Sequence, residues 1–340
     1  MAENIPDWKI FTGSLEPHND LARLPEAPPW RPFGRNAKLI PPKDSVGVDA
    51  DLDYALARTF RASPPMIEAV NTALYLRRPL LVTGKPGNGK SSLIRAVARE
   101  LRLGPVLRWS ITSKSTLRDG LYLYDALGRL DEQKRSGKEK DDTDIGKFVE
   151  LGPLGTALLP TDWPRALLID EIDKSDLDLP NDLLNIFEEG EFSIPELARA
   201  NVARKDQSIP VRTWRRQEET SIVKGYVRCT HFPFVVMTSN REREFAPAFV
   251  RRCIRISIEE PDPTMLADIV RSHFDEPTKT KAEQLIAQFL EDRNSKELAT
   301  DQLLNAVYLI FRTGTEFSEN EKKQLIEKLY KPISGPDATR

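Results

Sequence analysis

The sequence predicts an α/β fold in which a doubly wound, parallel, five-stranded sheet is followed by a small α-helical domain. Strands are predicted by short apolar segments that alternate with segments of helical periodicity, at 79–84, 105–111, 166–170, 234–239 and 253–258. This alternation is typical of a parallel sheet with helices on both faces. Beyond 259–264 the strand-like segments stop, and apolar residues recur at helical spacing up to residue 330.

Helical periodicity defines the elements around these strands. A helix over 64–78 precedes the first strand, and a helix over 91–101 follows it and stops at Gly104. The last of four C-terminal helices has Ser318 and Glu321 as a capping box; the four span 263–274, 281–292, 300–312 and 318–330. We therefore divide the chain into an arm (1–48), an α/β domain (49–260), a helical domain (261–331) and a tail (332–340).

The N-terminal arm is rich in proline, which fixes φ and removes a hydrogen-bond donor, so we expect an extended conformation. It also contains Trp8, Phe11, Trp30 and Phe33. Aromatic residues are depleted in disordered segments. The arm is therefore predicted to pack on the body of the protein or on a neighbouring subunit, with a flexible tail as the alternative.

Composition excludes several classes of protein. The chain of 340 residues has a formal net charge of -2, which does not favour a general coat for nucleic acid or anionic lipid. Its two cysteines, Cys229 and Cys253, lack CxxC spacing, so neither a disulfide framework nor a zinc site is predicted. The sequence shows no signal pattern and no apolar run of about 20 residues. A cytoplasmic protein without a membrane partner is expected.

A glycine-rich segment between the first strand and the following helix matches G-x-x-x-x-G-K-[ST]. Glycines let backbone N–H groups turn inward around phosphates, and the helix N-terminus favours negative charge. Lys90 is expected to reach the β- and γ-phosphates, and Ser91 to ligate Mg²⁺. A chance glycine-rich turn is the alternative. The candidate nucleotide-binding residues are Gly84, Lys85, Pro86, Gly87, Asn88, Gly89, Lys90, Ser91 and Ser92.

Acidic residues end the strand at 166–170, which lies downstream of this loop. Asp170 is the second predicted magnesium ligand beside Ser91, and it completes the set of nucleotide-binding candidates. Glu171 is the candidate general base that polarises the attacking water. The alternative is an ordinary acidic strand end. The presence of both carboxylates favours hydrolysis over mere binding of the nucleotide.

Two further polar groups follow in order along the chain. The strand at 234–239 leads into Asn240, which could orient the attacking water against the γ-phosphate, although Ser-Asn after a strand is usually a turn. Arg251 and Arg252 precede the last strand, where an arginine could reach the γ-phosphate of a neighbouring subunit. Two solvated surface arginines are the alternative.

The order of these motifs resembles that of AAA+ ATPases over residues 55 to 315, and more narrowly that of the MoxR group. The likeness lies in "GKFVELGPLGTALLPTDWPRALLIDEIDKSDLDLPNDLLNIFEEGEF" (146–192) and "NREREFAPAFVRRC" (240–253). The resemblance implies a P-loop NTPase fold with a helical lid, ATP and Mg²⁺ as cofactors, and Lys90 and Glu171 in catalysis. It also implies Asn240 as sensor 1 and Arg252, rather than Arg251, as the arginine finger.

The chain departs from this resemblance in the lid, and it contains two inserts. The place of the usual sensor 2 arginine falls at 299–302, "ATDQ", which has no arginine. The inserts span about 115–145 and 194–225; in a ring they would face the pore or a client. The charged half of the first is predicted to be a mobile solvated loop. In the second, a basic cluster could touch nucleic acid, but protein contact or solvation is favoured; it comprises Arg212, Trp214, Arg215 and Arg216.

By resemblance, the main functional hypothesis is an ATP-hydrolysing homo-hexameric ring that remodels or activates a protein client. MoxR relatives often act with partners that contain a von Willebrand factor A domain, and short forms resemble members of bacterial conflict or defence systems. A nucleic-acid motor or loader is one alternative, and an ATP-dependent assembly switch that recruits an effector is another. A Ras-type GTPase is disfavoured because the sequence lacks N-K-x-D. The preference for ATP over GTP stays open at this level.

Overall fold

The computed structural model describes residues 8–31, 33, 37–43, 53, 57–136, 142–200, 208–216, 218–274, 276–295, 298–312 and 317–331. The predicted tail at 332–340 lies outside the described residues, as do parts of the predicted arm and of both inserts. In the described part of the chain, no helix is long and apolar enough to cross a bilayer.

The strands of the described residues fall into two sheets. In chain order they are β1 (Leu80–Thr83), β2 (Leu107–Ser110), β3 (Tyr122–Tyr124), β4 (Val149–Leu151), β5 (Ala166–Asp170), β6 (Glu191–Ser193), β7 (Ser208–Arg212), β8 (Glu219–Val223), β9 (Tyr226–Arg228), β10 (Phe234–Ser239) and β11 (Ile254–Ser257).

The helices precede, connect and follow these strands. They are α1 (Pro64–Leu76), α2 (Lys90–Glu100), α3 (Leu117–Leu121), α4 (Ala126–Ser136), α5 (Pro153–Ala157), α6 (Leu179–Glu189), α7 (Pro195–Ala200), α8 (Pro247–Val250), α9 (Pro263–His273), α10 (Glu276–Ser295), α11 (Thr300–Arg312) and α12 (Glu319–Leu329).

The main sheet confirms the predicted fold class. Its five strands are parallel and lie in the order β11-β1-β10-β5-β2. Every residue of β5 and β10 is buried, as expected for strands whose two faces are both covered. The carboxyl ends of β1, β5 and β10 therefore meet at one edge of the sheet, where the polar motifs follow the strands.

The four predicted C-terminal helices are present as α9 to α12, and they form a hydrophobic core of their own around Leu266, Phe289 and Leu303. The predicted capping box at the last helix is also present. Ser318 Oγ accepts from the Glu321 N–H at 3.4 Å, and the Glu321 carboxylate accepts from the Ser318 N–H at 2.8 Å. These side chains satisfy orphan donors at the start of α12.

The second sheet was not predicted, because its strands are only three to five residues long and lie in or directly beside the inserts. It has six strands in the order β3-β4-β7-β8-β9-β6. The expectation of a solvated loop in the charged half of the first insert is wrong for the part of that half that belongs to α4, which ends at Ser136. Asp125 Oδ1 accepts from the Gly128 N–H at 2.8 Å, as an N-cap residue does, and this helps the helix to begin there. The adjoining residues 137–141 lie outside the described residues.

The arm packs on the body of its own chain, which is one of the two packings expected for it. Ile10 and Phe11 are buried in the core that also contains α1, α2 and β1. Two buried side chains fix the arm's backbone. The Asn71 side chain accepts from the Ile10 N–H at 2.7 Å and donates to the Phe11 carbonyl at 2.7 Å. Glu100 accepts from the Thr12 N–H at 2.6 Å.

Candidate functional site

The glycine-rich loop joins the end of β1 to the start of α2, and its glycines are required by its geometry. Gly87 has φ +77°, and a Cβ there would lie 2.5 Å from Ala299 Cβ. A Cβ on Gly84 would lie 2.5 Å from the carbonyl oxygen of Ile258. The loop therefore passes closely between the sheet and the helical domain, and side chains at these two positions would clash on both sides.

Lys90 lies folded over the loop, where its Nζ donates to the carbonyls of Gly84 and Lys85, each at 2.8 Å. Burial lowers the pKa of Lys90, while the nearby carboxylates, Asp173 foremost, act in the opposite sense. The Asn88 Nδ2 amide is buried and has no hydrogen-bond partner among the described residues. A cationic group, an unpaired donor and a helix N-terminus thus converge here, and this set fits a polyphosphate.

Asp170 is the centre of the hydrogen-bond network beside the loop. Its Oδ1 accepts from Ser91 Oγ at 2.9 Å and from Thr238 Oγ1 at 2.6 Å, and its Oδ2 accepts from Arg108 Nη2 at 2.6 Å. Burial alone would raise the pKa of Asp170, but these hydrogen bonds and the charge of Arg108 together lower it. The two predicted magnesium ligands are therefore in contact, and their hard oxygen donors fit Mg²⁺.

Glu171 adopts a left-handed backbone conformation with φ 61° and ψ 50°. Such a conformation in a residue other than glycine costs roughly 1–3 kcal/mol and persists where neighbours impose it. Here the Glu171 N–H donates to Thr238 Oγ1 at 2.9 Å. The carboxylate is partly exposed and forms an ion pair with Lys174 at 2.8 Å. Because of this left-handed backbone conformation, the Glu171 side chain points away from the direction of the Asp170 side chain, which faces inward.

Asp173 fixes the end of β10, and the sequence analysis did not identify it. Its Oδ2 accepts from the Asn240 N–H at 2.7 Å and from Ser239 Oγ at 3.0 Å, while its Oδ1 is buried without a partner among the described residues. Asn240, the sensor 1 candidate, therefore has its backbone held beside the acidic end of β5. The available signal was a third carboxylate in the strand-ending segment "DEID".

Two arginines that the sequence analysis did not select also lie at this edge. Arg108, on β2, pairs with Asp170 as described above. Arg241 has φ 65°, and its Nη2 hydrogen-bonds with Thr83 Oγ1 at 3.4 Å and with Ser257 Oγ. No local motif marks these residues, because their position depends on which strands are neighbours in the sheet. Both add positive charge near the predicted phosphate site.

Arg251 and Arg252 lie at the opposite edge of the sheet. β11 runs parallel to β1 with Ile254 level with Leu80 and Ser257 level with Thr83. The strand itself separates the two edges by about 10 Å, since each residue advances about 3.3 Å. Arg252 is partly buried and forms an ion pair with Glu188, whereas Arg251 is exposed. The structure therefore does not bring the candidate arginine finger to the loop of the same chain.

A cavity of about 460 Å³ adjoins the loop between the α/β domain and the C-terminal helices. The sequence analysis missed it because its walls come from distant segments. Its apolar lining includes Phe60, Met66, Ile258, Met265, Ile269 and Leu304. An apolar cavity next to a phosphate-binding loop fits a flat nucleobase. At the place of the missing sensor 2 arginine, Thr300 and Asp301 line this cavity instead.

In the basic cluster of the second insert, the described side chains are those of Arg212, Trp214 and Arg215, and these three do not form one exposed surface. Trp214 is partly buried and packs against the main core, and its backbone N–H donates to Thr156 Oγ1 at 2.9 Å. Arg212 pairs across the sheet with Glu219, and Arg215 is exposed. The side chain of Arg216 lies outside the described residues. The indole is thus not presented beside the arginines for stacking on a base.

A parallel sheet with a phosphate-type loop after β1 and two carboxylates after β5 defines a P-loop nucleotide-binding domain. Comparison with protein families agrees: the model for the AAA domain of the dynein-related subfamily matches residues 79–253. This is slightly more than half of the chain, which therefore belongs to that family and is an AAA+ ATPase. A search of curated proteins found no match for the chain.

Proposed function

We propose that this protein is a MoxR-like AAA+ ATPase that hydrolyses ATP in a homo-hexameric ring and uses the energy to remodel or activate a partner protein. One observation supports the ring above all others. Arg252 lies at the edge of the sheet opposite to its own phosphate-binding loop. An arginine in that position can act only on the nucleotide of a neighbouring copy, so a complete site needs two subunits.

Each residue of the site has a separate role in the proposed reaction. Lys90 and Asn88 bind the phosphates, and Ser91 and Asp170 hold Mg²⁺. Mg²⁺, when bound, neutralises phosphate charge. Glu171 accepts the proton of the attacking water, which requires its carboxylate to leave Lys174. Because both partners are 42% exposed, this ion pair is weak and its exchange costs little.

Asn240 then orients the attacking water with its amide, which is the proposed sensor 1 role. Asp173 assists by holding the Asn240 backbone in place. Thr238 links the two acidic residues, since it donates to Asp170 and accepts from the Glu171 N–H. A shift of β10 would thus change the positions of Asp170, Glu171 and Asn240 together.

The proposed partner is a protein, by analogy with MoxR relatives a protein with a von Willebrand factor A domain, and the proposed setting is a bacterial conflict or defence system. Exposed leucines on the first insert support a protein contact: Leu123 on β3, and Leu127 and Leu130 on α4. Large exposed apolar groups close together are typical of protein interaction sites. Trp214, packed inward, offers no comparable support for nucleic acid.

Phosphate release measured against protein concentration tests the proposal, with ATP and GTP compared and with DNA or RNA added in parallel. The specific rate should rise with concentration for ATP, and Glu171→Gln and Arg252→Ala should each lose turnover. Mixing these two inactive variants should restore part of the activity, because each supplies what the other lacks. Arg255→Ala is the matched control, since Arg255 is an exposed arginine on β11, the strand that the candidate finger precedes.

Other results would lead to a different function. A rate that does not depend on concentration, without recovery on mixing, would refute the shared site. Binding without turnover, lost in Lys90→Ala, would indicate the assembly switch. Strong stimulation by DNA or RNA, lost in Arg215→Ala, would indicate the nucleic-acid motor or loader.

A further inference from the structure

Three arginines from separate parts of the chain line one cavity at the amino edge of the main sheet. The cavity measures about 400 Å³ and is lined by Pro29, Trp30, Arg31, Arg78, Glu188, Glu189 and Arg252. Arg31 belongs to the arm, Arg78 precedes β1, and Arg252 precedes β11. With three arginines and two glutamates in the lining, positive charge is in excess.

Arg31 is the least expected member, because an arginine is seldom fully buried unless it is paired. Only 6% of it is exposed, and its Nη1 donates to the carbonyl of Phe187 at 3.2 Å. Its Nε is buried without a hydrogen-bond partner among the described residues, where it also takes part in no salt bridge. Burial and the charges of Arg78 and Arg252 lower the pKa of Arg31, while the charge of Glu188 acts in the opposite sense without reversing the shift. Glu188 is thus the nearby anion, but among the described residues it forms its ion pair with Arg252 and not with Arg31.

Arg78 also has no carboxylate partner among the described residues, whereas Arg252 has one. Arg78 Nη1 donates to the carbonyl of Arg251 at 3.3 Å, and in the described part of the chain no carboxylate lies within salt-bridge distance of it. Arg252 forms an ion pair with Glu188, which comes from the end of α6. Among the described residues, Glu188 is therefore the one carboxylate that forms an ion pair with any of these three arginines.

A phosphate oxyanion would supply the negative charge that balances the three arginines of this cavity. Guanidinium groups bind planar sets of oxygens through paired N–H donors, and phosphate offers the same acceptor geometry as a carboxylate with more charge. Glu188 occupies the position that such an oxyanion would take beside Arg252. Trp30 lies at the rim with 71% of its surface exposed, and exposed tryptophans at a concave site are typical anchors of protein interfaces.

We propose that this cavity receives the terminal phosphate of the nucleotide held by a second copy of the chain, with Arg78 acting beside Arg252 and Arg31 as a buried positioning residue. The arm, whose first described part is fixed to the body by Asn71 and Glu100, thereby becomes part of the neighbour's site. On assembly, the phosphate displaces Glu188 from Arg252. This inference rests on the proposed ring, because it requires a neighbouring nucleotide.

ATP-dependent assembly tests the inference independently of turnover. Sedimentation velocity is measured in a Glu171→Gln background, which is intended to hold ATP without hydrolysing it. Arg78→Gln should raise the protein concentration of half-assembly by about tenfold, as expected for loss of one charge-assisted contact at an interface. Glu188→Gln should lower that concentration, since it frees Arg252. Arg255→Gln, which removes an exposed arginine outside the cavity, should match the parent.

Mixing experiments show whether the arginines act between subunits. Arg78→Gln with intact Glu171 should regain turnover when it is mixed with Glu171→Gln subunits, which supply an intact arginine face. Arg31→Gln should behave in the same way. Because Arg31 is buried, its variant is interpreted only if its thermal midpoint matches the parent; the half-buried Arg78 provides the decisive variant.

The outcomes separate this inference from the proposed function. If the parent chain neither assembles with ATP nor hydrolyses it cooperatively, the ring itself is refuted. If the parent assembles but Arg78→Gln and Arg31→Gln assemble and turn over like Arg255→Gln, only the role of the cavity is refuted. Calorimetric titration with inorganic phosphate tests whether the cavity binds free phosphate instead of the phosphate of a neighbour's nucleotide. Binding that Arg78→Gln abolishes, without any effect on assembly, would also overturn the inference.

Discussion

Thr238→Val removes one hydroxyl group and conserves the shape of the side chain, and we expect it to damage both stability and nucleotide binding. Thr238 is buried, with 1% exposed. Its hydroxyl donates to Asp170 Oδ1 at 2.6 Å and accepts from the Glu171 N–H at 2.9 Å. Valine can do neither, so a buried carboxylate loses a donor and a backbone N–H loses its acceptor.

The expected cost follows from these two hydrogen bonds. A hydrogen bond to a charged group contributes about 1.5–3 kcal/mol, and an unsatisfied donor costs at least about 1 kcal/mol. The Glu171 N–H is only partly buried, so the lower value applies to it. We therefore expect a loss of about 3 kcal/mol in the free energy of unfolding. For a unit of about 200 residues this lowers the thermal midpoint by about 6 °C.

The pH dependence of this loss provides a second test. Among the groups that lower the pKa of Asp170, the hydrogen bond from Thr238 has the largest effect, so the substitution raises that pKa. A carboxylate with a lowered pKa stabilises the folded state above its unfolded pKa of about 3.9. That contribution disappears as the pH falls through the folded-state value. The difference between parent and variant should therefore be full at neutral pH and should shrink in acid.

Urea unfolding from pH 7 down to the acid limit measures this difference, and fluorescent ATP binding with and without Mg²⁺ measures the effect on the site. Thr238→Ser is the matched control, because it keeps the hydroxyl and loses only a methyl group. The magnesium-dependent part of the affinity should fall in Thr238→Val and persist in Thr238→Ser. Equal behaviour of the two variants, or a difference that does not change with pH, would refute the reasoning.

Three further predictions concern the loop, the arm and the cysteines. Gly87→Ala should weaken ATP binding by at least tenfold, since its Cβ would lie 2.5 Å from Ala299 Cβ and would force the helical domain away. Glu100→Gln should release the arm, seen as faster proteolysis within it, because the fully buried carboxylate accepts from three donors of the arm, at 2.6, 2.9 and 3.0 Å. Burial raises the pKa of Cys229 and of Cys253 to about 12, so neither thiol should react with an alkylating reagent at pH 8 until the protein unfolds.

The predictions for the loop and for the arm each have a matched comparison. Gly104 has the same φ of +77° as Gly87 but has nothing within 4 Å of its Cβ position, so Gly104→Ala isolates the backbone strain from the clash. Equal loss of ATP affinity in the two variants would contradict the proposed contact. For the arm, Glu16→Gln changes an exposed glutamate of the same segment, and equal proteolysis would exclude a role for Glu100. Rapid alkylation of the folded protein at pH 8 would show that the thiols are accessible.

The sequence predicted those features that depend on neighbouring residues in the chain. The five strands of the main sheet, the helices around the glycine-rich loop and the capping box of α12 all have local causes, namely periodicity, a missing Cβ or a cap. Ser91 and Asp170 were each predicted as magnesium ligands, and the structure brings their side chains into contact.

Other parts of the site have no local signal. Arg108 reaches Asp170 because β2 and β5 are neighbours, and Asp173 reaches Asn240 because β5 and β10 are neighbours. Strand order is set by packing across the whole domain, which a local pattern does not encode. The second sheet was missed for the same reason, since its short strands become stable only when segments distant in the sequence pair.

The sequence by itself determined the glycine-rich loop of a P-loop domain, because this loop needs only consecutive residues to form its cradle. It also determined the order of the motifs, and hence the family. Only the tertiary structure decided where those motifs stand relative to one another. It placed Arg252 away from its own loop and brought Arg31 of the arm to the same cavity. Contacts between residues so distant in sequence arise from the burial of shared apolar surface, which is fixed only when the whole domain folds.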